Sequence, residues 1–259
     1  MQEKNKKDID RILVSLDFDG DGSSFIESLV KLAAKLNAEL CGLFVEDSDL
    51  QQIANLPFSR EIAFLTAHTQ KLDSKQIARH LKQHAEALRK MMQEFSHLSN
   101  VACSFKTAKG PRIESVLNES YDFQVVVFLP EKYSSLKPKA HAGLGELINP
   151  TVMLYDGSDQ ARKSAFIVKS LADKGDLHEL KILALNNECE AQAIQQFAFD
   201  KVKLGCTHID SYNISNIVSL LGEQKIGLII LPLENELIHQ SKAIREMLAS
   251  LKCPLLLVR

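Results

Sequence analysis

The sequence predicts an α/β fold made of two duplicated, doubly wound domains with mostly parallel sheets. Short apolar runs suited to buried strands alternate with segments whose apolar residues recur every three or four positions, the period of an amphipathic helix. The same order of elements restarts near residue 150, which indicates an internal duplication. The chain has 259 residues, 45% of them hydrophobic, so it is long enough to bury a sizeable core.

The first elements form a βαβ unit. An apolar strand at 12–16 ends in Asp17 and is followed by the turn-forming string FDGDGSS. A helix at 25–36 and a second strand at 39–45 come next. Strands joined by such a crossover lie parallel in one sheet, and the crossover is right-handed.

The alternation continues to the end of the first half. The apolar residues of 72–98 keep a helical stripe, which predicts one long amphipathic helix. A strand at 101–105, a short helix at 113–117 and a buried strand at 125–130 follow. Strands alternating with helices are typical of a doubly wound, mostly parallel sheet.

The second half repeats this order. A strand at 152–155 leads into the turn Asp156-Gly157-Ser158, and a helix at 165–171 and a strand at 180–185 follow. The string IESVLNESYDFQVVVFLPE of the first half is echoed later by ISNIVSLLGEQKIGLIILPLE. The duplication therefore covers a whole domain.

We predict one domain at 8–149 and a second at 150–259. The first carries a helical insertion at 49–98 and a truncated end, because only a polar segment follows its fourth strand. The second continues through a helix at 237–251 to a strand at 254–258. The first domain has lost an element or borrows one, so the last strand can pair with the other domain or form a homodimer with a second copy.

Charge and hydropathy exclude several classes of protein. The formal net charge is −2, so nucleic acid is an unlikely partner. No apolar run approaches the ~20 residues that span a bilayer, and the first residues lack the apolar core of a signal peptide. We expect a soluble, cytoplasmic protein without a membrane partner. The five cysteines have no metal-like spacing and fit buried free thiols.

Several features together resemble the universal stress protein family in its tandem, two-domain form. They are the apolar strand that ends in Asp17, the Gly-Ser turn, the Ala- and Leu-rich helix and the terminal string KCPLLLVR. The resemblance implies the fold of that family, which is similar to adenine-nucleotide α-hydrolases, with a five-stranded sheet per domain. Some members bind ATP at the carboxyl ends of the strands, where open α/β sheets place ligands.

The resemblance also implies where a nucleotide would lie. The aspartate that closes the first strand and the residue that ends the second contact the adenosine, which here are Asp17 and Val45. Their counterparts in the second half are Asp156 and Leu185, although Tyr155 leaves that alignment open to a slip of two residues.

The phosphate-binding glycines are missing from the second half. ATP-binding members carry Gly, two residues, Gly, nine residues and then Gly with Ser or Thr after the fourth strand, since glycines let backbone amides wrap phosphates. Residues 231–242 contain no glycine, and Glu234 and Glu236 would repel a triphosphate. In the first half, Gly143 and Gly145 lie near lysines, so an ATP or AMP site there stays open, with a flexible linker as the simpler reading.

Two other readings compete for the loop after the first strand. Asp17 and Asp19 resemble the first motif of haloacid-dehalogenase phosphatases, in which the first Asp attacks phosphate. Such enzymes need a later strand that ends in paired acids, whereas the candidate strands end in Pro130 and Pro232. The same loop imitates a calcium site, but its twelfth position is Ser28 rather than Glu.

His80 and His84 lie one helical turn apart, which is a spacing that zinc can use, yet no third ligand lies near them. We therefore expect no metal site and no catalytic residues. The predicted function is that of a noncatalytic stress-response or regulatory protein with a degenerate ATP site. It would act through a protein partner or through self-association.

Overall fold

The computed structural model describes a mixed α/β chain. The residues that it describes are 9–16, 23–46, 48, 52–53, 56, 60–62, 69–71, 74–129, 148–211, 214–222, 224–233, 241–251 and 253–259. Among them, no helix is both long and apolar enough to cross a membrane.

The elements of the first half alternate as predicted, with one addition. In chain order they are β1 (Arg11–Leu16), α1 (Ser23–Leu36), β2 (Glu39–Glu46), β3 (Arg60–Ile62), β4 (Thr69–Lys71), α2 (Ser74–Leu98), β5 (Cys103–Lys109), α3 (Arg112–Glu119), a 3-10 turn (Ser120–Asp122) and β6 (Val125–Phe128). The insertion predicted as helical does contain α2, but β3 and β4 pair antiparallel within it as a separate ribbon. Its other residues before α2 lie largely outside the described ranges.

The second half contains the same alternation and one further strand. Its elements are β7 (Thr151–Tyr155), α4 (Asp159–Asp173), β8 (Glu179–Ala184), α5 (Asn187–Gln196), β9 (Lys203–His208), α6 (Ile214–Leu221), β10 (Leu228–Pro232), α7 (Ser241–Ser250) and β11 (Leu255–Val258). Each predicted strand of this half that falls on described residues is therefore present, with bounds shifted by a residue or so.

The strands of both halves lie in one continuous sheet. The nine-stranded order is β5-β2-β1-β6-β11-β10-β7-β8-β9. Every neighbouring pair is parallel except β6 and β11, which are antiparallel. The predicted α/β class with a mostly parallel sheet is confirmed. The two predicted sheets are joined edge to edge into a single sheet.

The last strand of the chain, β11, occupies the centre of that sheet. It pairs parallel with β10 of its own half and antiparallel with β6 of the first half. The first half therefore borrows the fifth strand that its own sequence lacks. Because both edges of β11 are hydrogen-bonded within the chain, no edge of it is left for the homodimer through the last strand that the sequence had left open.

Helices cover both faces of the sheet, and the central strands β6, β10 and β11 are therefore buried on both sides. One buried cluster collects the apolar residues of α1, α2, α4 and α5, and the other collects those of α3, α6 and α7. The side chains of β6 alternate between the two clusters: Val125 and Val127 join the first, and Val126 and Phe128 join the second.

Polar contacts also connect the two halves. Lys35 of α1 forms an ion pair with Asp176, which follows α4. On the other face, Nη2 of Arg245 in α7 lies 3.5 Å from Oε1 of Glu114 in α3. Arg259, directly after β11, donates from Nη1 to the carbonyl oxygen of Ser120 at 3.2 Å. These contacts connect the two halves on both faces of the sheet, and those of Arg245 and Arg259 hold α7 and the end of β11 against the first half.

Gly42, in the middle of β2, should resist replacement because the core leaves no room for a methyl group. A Cβ atom there would lie 2.6 Å from Sδ of Met92 and 2.9 Å from Cδ1 of Leu16, both of which are buried. We expect Gly42→Ala to lower the free energy of unfolding by about 1–3 kcal/mol in urea titrations. The control is Gly205→Ala in β9, where the nearest atom is 4.0 Å away, and equal losses in both variants would contradict this reasoning.

Candidate functional site

The topology places two separate crevices at the sheet, one beyond each of the two ends of the strands. Open α/β sheets bind ligands outside the carboxyl ends of the strands, where the strand order reverses. That reversal lies between β1 and β6 in the first half and between β7 and β10 in the second. Because β6 and β11 are antiparallel, the carboxyl ends of the strands in the first half point in the opposite direction from those of the strands in the second half. We call the crevice beside Leu16 and Leu129 the first crevice, and that beside Asp156 and Leu233 the second crevice.

Arg112 is a described polar residue that bridges two strands at the first crevice. Its Nε donates a hydrogen bond to Oγ of Ser15 in β1 at 3.2 Å. Its Nη2 donates to the carbonyl oxygen of Leu129, directly after β6, at 2.8 Å. The guanidinium therefore connects the two strands between which the strand order reverses.

The local sequence explains how Arg112 reaches this position. Gly110 has a φ of +138°, a conformation that favours glycine, and Pro111 follows it as the residue before α3. The chain thus turns sharply at the end of β5 and starts α3 with Arg112. The sequence analysis did not select this residue. The available signals were a serine inside the apolar string ILVSL and an arginine after Gly-Pro.

Of the six residues named for nucleotide binding, the structure describes three, and it places Val45 at the first crevice and Asp156 and Leu185 at the second. Val45 is the last residue but one of β2, near the first crevice, and its side chain, 9% exposed, packs in the cluster that α3 covers. Asp156 follows β7 at the second crevice. The others, Asp17, Gly143 and Gly145, lie outside the described residues.

The strand register aligns the two halves without a slip. The last pair of β1 with β2 is Leu16 with Phe44, and the last pair of β7 with β8 is Tyr155 with Ala184. Tyr155 therefore corresponds to Leu16, and Asp156 follows its strand as directly as Asp17 does in the sequence. The side chain of Tyr155 packs into the core, where its hydroxyl lies 3.1 Å from Oε1 of Gln196 and burial raises its pKa.

Asp156 shapes the turn at the second crevice. Its Oδ1 accepts a hydrogen bond from the backbone N–H of Ser158 at 2.9 Å. Ser158 in turn caps α4, because its Oγ accepts from the N–H of Ala161 at 3.1 Å. Gly157 lies between them with a φ of +79°. The carboxylate thus takes part in an Asx turn within its own loop.

Neighbouring groups at the second crevice are also bonded within the chain. The N–H of Leu185 donates to the carbonyl oxygen of Tyr155 at 3.1 Å. Oδ1 of Asn186 accepts from the N–H of Cys189 at 2.7 Å and so caps α5. The N–H of Leu233, the first residue after β10, donates to the carbonyl oxygen of Val258 at 2.6 Å.

Metal and thiol chemistry have little support among the described residues. No group of three metal-ligating side chains occurs there. His84 instead lies with its ring 6.0 Å from that of Phe44. All five cysteines are free, and burial raises the pKa of each thiol. A raised pKa keeps a thiol protonated and therefore poorly nucleophilic.

The fold is shared with solved structures. No family model and no curated protein matches this chain. A universal stress protein from Archaeoglobus fulgidus DSM 4304 aligns over 96% of this chain and 96% of its own, with 12% identity and a TM-score of 0.55. A protein from the universal stress protein family from Burkholderia pseudomallei aligns over 77% of this chain and 96% of its own, with 10% identity and a TM-score of 0.29. The first of these confirms the resemblance at the level of fold.

Asp156 should matter as a hydrogen-bond acceptor in the free protein. We expect Asp156→Ala to lower the free energy of unfolding by about 1 kcal/mol, since the N–H of Ser158 loses its partner. Asp156→Asn keeps an acceptor at the same atom and should stay close to the wild type in urea unfolding. Equal destabilisation by both variants would show that the negative charge, rather than the acceptor, stabilises this turn.

The buried thiols should make the protein less stable in alkali. Burial raises the pKa of Cys253 to about 12. The unfolded thiol releases its proton near pH 8.5, so above that pH the unfolded state binds fewer protons and stability falls as pH rises. We expect the Tm to decline above about pH 8.5, and Cys253→Ala to make that decline shallower. Rapid alkylation of Cys253 in the folded protein at pH 8 would contradict this picture.

Proposed function

We propose that this protein is a noncatalytic regulatory protein of the tandem universal stress type, with a degenerate ATP-binding site, that acts in a stress response by binding. The observation that carries the proposal is the absence of glycine from residues 231–242. β10 ends at Pro232, so this segment begins at the second crevice. A phosphate chain there would meet side chains at positions where nucleotide-binding sheets present glycine amides.

Two contacts at the second crevice support this proposal. The N–H of Leu233 is already bonded to the carbonyl oxygen of Val258. Asp156 is engaged with the N–H of Ser158 in its own turn. A nucleotide would also approach a segment whose sequence contains Glu234 and Glu236.

The ends of two strands favour a noncatalytic role over an Asp17-dependent phosphatase. That chemistry needs a second strand whose end presents paired acids for Mg²⁺. β6 is followed by Leu129, and β10 ends at Pro232 and is followed by Leu233. Neither strand therefore presents a carboxylate at its immediate end.

A second candidate function is an ATP- or AMP-binding switch in the first half. Arg112 favours it, because a guanidinium at the carboxyl ends of β1 and β6 suits a phosphate group. Gly143 and Gly145 follow β6 in the sequence at a spacing that differs from the ATP-binding pattern. We rank this switch second for that reason.

The remaining parts of the proposal concern domains, location and partners. We propose domains at 8–149 and 150–259, supported by the repeated strand order on either side of β11. We further propose a cytoplasmic location and binding to a protein partner or a second copy. The outer strands β5 and β9, each paired on one side within the described sheet, are the edges on which such association would occur.

The first test is the release of small molecules from freshly purified protein by denaturation, read by mass spectrometry, together with thermal unfolding in ATP and Mg²⁺. A ligand at 100 times its Kd stabilises a protein by about 2.7 kcal/mol, which raises the Tm of a chain of this size by about 5–10 °C. We expect no bound nucleotide and a Tm no higher with ATP and Mg²⁺ than with Mg²⁺ alone.

Release of ATP or AMP near one per chain would replace this proposal with the nucleotide switch. Catalysis is tested separately with a chromogenic phosphate ester and Mg²⁺. Phosphatase activity that is present in the wild type and abolished by Asp17→Asn would overturn the noncatalytic role. No activity in either protein supports it.

A further inference from the structure

The strand β9 forms one outer edge of the nine-stranded sheet. It pairs parallel with β8, and the described sheet has no strand on its other side. The backbone N–H groups of Lys203 and Ile209 donate to carbonyl oxygens on the β8 side, at 2.8 and 2.9 Å. Because the bonds of a parallel strand alternate along the chain, the backbone groups of Leu204, Cys206 and His208 point away from β8.

The two outer strands differ in the charged side chains that discourage pairing with another strand. The opposite outer strand, β5, carries exposed Lys106 in its middle and exposed Lys109 at its end. Lysines at such places are a common protection of sheet edges. In β9, by contrast, Lys203 is the first residue, and the string LGCTH after it contains no Lys, Arg, Asp or Glu. The outer edge of β9 is therefore the less protected of the two.

Apolar side chains flank this edge on the face that α5 covers. Leu204 and Cys206 are half-buried and pack against the core. Burial, and after it the charge of Glu190 in α5, raises the pKa of the Cys206 thiol, so Glu190 lies near β9. Ile194 follows Glu190 by one helical turn on the same side of α5 and is 47% exposed. A strand added to β9 would therefore bury apolar surface in addition to satisfying backbone groups.

The charges at the two ends of β9 favour a second copy of this strand that runs in the opposite direction. Lys203 begins the strand with its side chain 80% exposed, and Asp210 follows the strand with its side chain fully exposed. Their partners within the chain are Glu179, 3.7 Å from Nζ of Lys203, and His208, 3.4 Å from Oδ1 of Asp210. Exposed pairs of this kind contribute little to stability. In an antiparallel pair, Lys203 of each copy comes near Asp210 of the other, whereas a parallel pair would bring like charges together.

We propose that two copies of this protein associate through antiparallel pairing of their β9 strands. The register that uses all three outward-facing residues pairs Leu204 with His208 and places Cys206 opposite Cys206 of the other copy. It also sets Gly205 beside Thr207, so no bulky side chains face each other there. An interface built on one six-residue strand is small, and we expect a reversible dimer with a micromolar Kd. This inference rests on the proposed function, because it names a second copy as the partner of a noncatalytic regulator.

The test is analytical ultracentrifugation of the full-length protein at concentrations from about 1 to 100 µM. We expect a reversible equilibrium between monomer and dimer. Cys206→Pro removes the outward N–H at the centre of the proposed pairing and leaves the bonds between β9 and β8 in place. We expect this variant to raise the Kd of the dimer at least tenfold.

The matched control is Thr107→Pro in β5. The N–H of Gly110 donates to the carbonyl oxygen of Glu46 at 3.2 Å, so the alternation along β5 makes the N–H of Thr107 point outward as well. The control therefore places the same substitution at the same kind of position on the other outer strand. It should dimerise as the wild type does.

A charge exchange tests the direction of the partner strand. Lys203→Asp and Asp210→Lys should each raise the Kd of the dimer about threefold to tenfold, because each places like charges at both ends of the pair. The double variant restores opposite charges with their signs exchanged. We expect it to dimerise more tightly than either single variant.

A wild-type protein that stays monomeric over the whole concentration range overturns the β9 dimer. A dimer that Cys206→Pro leaves unchanged, with its fold verified by circular dichroism, or that Thr107→Pro abolishes instead, also overturns it. If Cys206→Pro does not fold, the charge variants decide, and a double variant no tighter than the single ones overturns the antiparallel pairing. None of these results affects the noncatalytic proposal, which depends on the absence of bound nucleotide and of turnover. Stoichiometric ATP in the purified protein would defeat that proposal and leave the ultracentrifugation result standing.

Discussion

The antiparallel pairing of β11 with β6 is the contact on which the rest of the molecule depends. It joins Leu255–Val258 to Val125–Phe128 through four residue pairs, and all eight side chains are buried. Without β11, the first half would end in a strand that is apolar on both faces and unpaired along one edge, which is an arrangement prone to aggregation. The pairing also reverses the direction of all the strands beyond it. Two crevices at opposite edges of the sheet are therefore a direct consequence of one strand's orientation.

Separation of the crevices allows the two copies of the scaffold to differ. A residue at the carboxyl end of β7 contributes nothing to the site beside β1, so each edge can lose or keep polar groups independently. The second edge holds Leu154 and a turn closed on itself by Asp156. The first edge holds Ser15 and Arg112, a pair that an apolar core would not need.

The sequence could predict the elements, but it could not decide whether the last strand pairs with the other half or with a second copy. The alternation of strands and helices, the helix over Ser74–Leu98 and the turn at Asp156 all follow from short-range patterns. The central position of β11 does not, because a strand that is apolar on both faces looks the same whichever neighbour it has. Likewise, β3 and β4 are too short to show alternation. Ser15 and Arg112 are 97 positions apart, so only the folded sheet brings them together.

The same limits explain why the sequence points to the residues that follow the strands and not to Arg112. The resemblance points to the residues that directly follow the strands, such as Asp17 and Asp156, because those positions face a nucleotide in the family. Arg112 instead reaches the first crevice from the start of a helix on one face of the sheet, through a bond to a buried hydroxyl. A contact of this kind joins residues that are far apart in the sequence, so no short-range pattern reveals it.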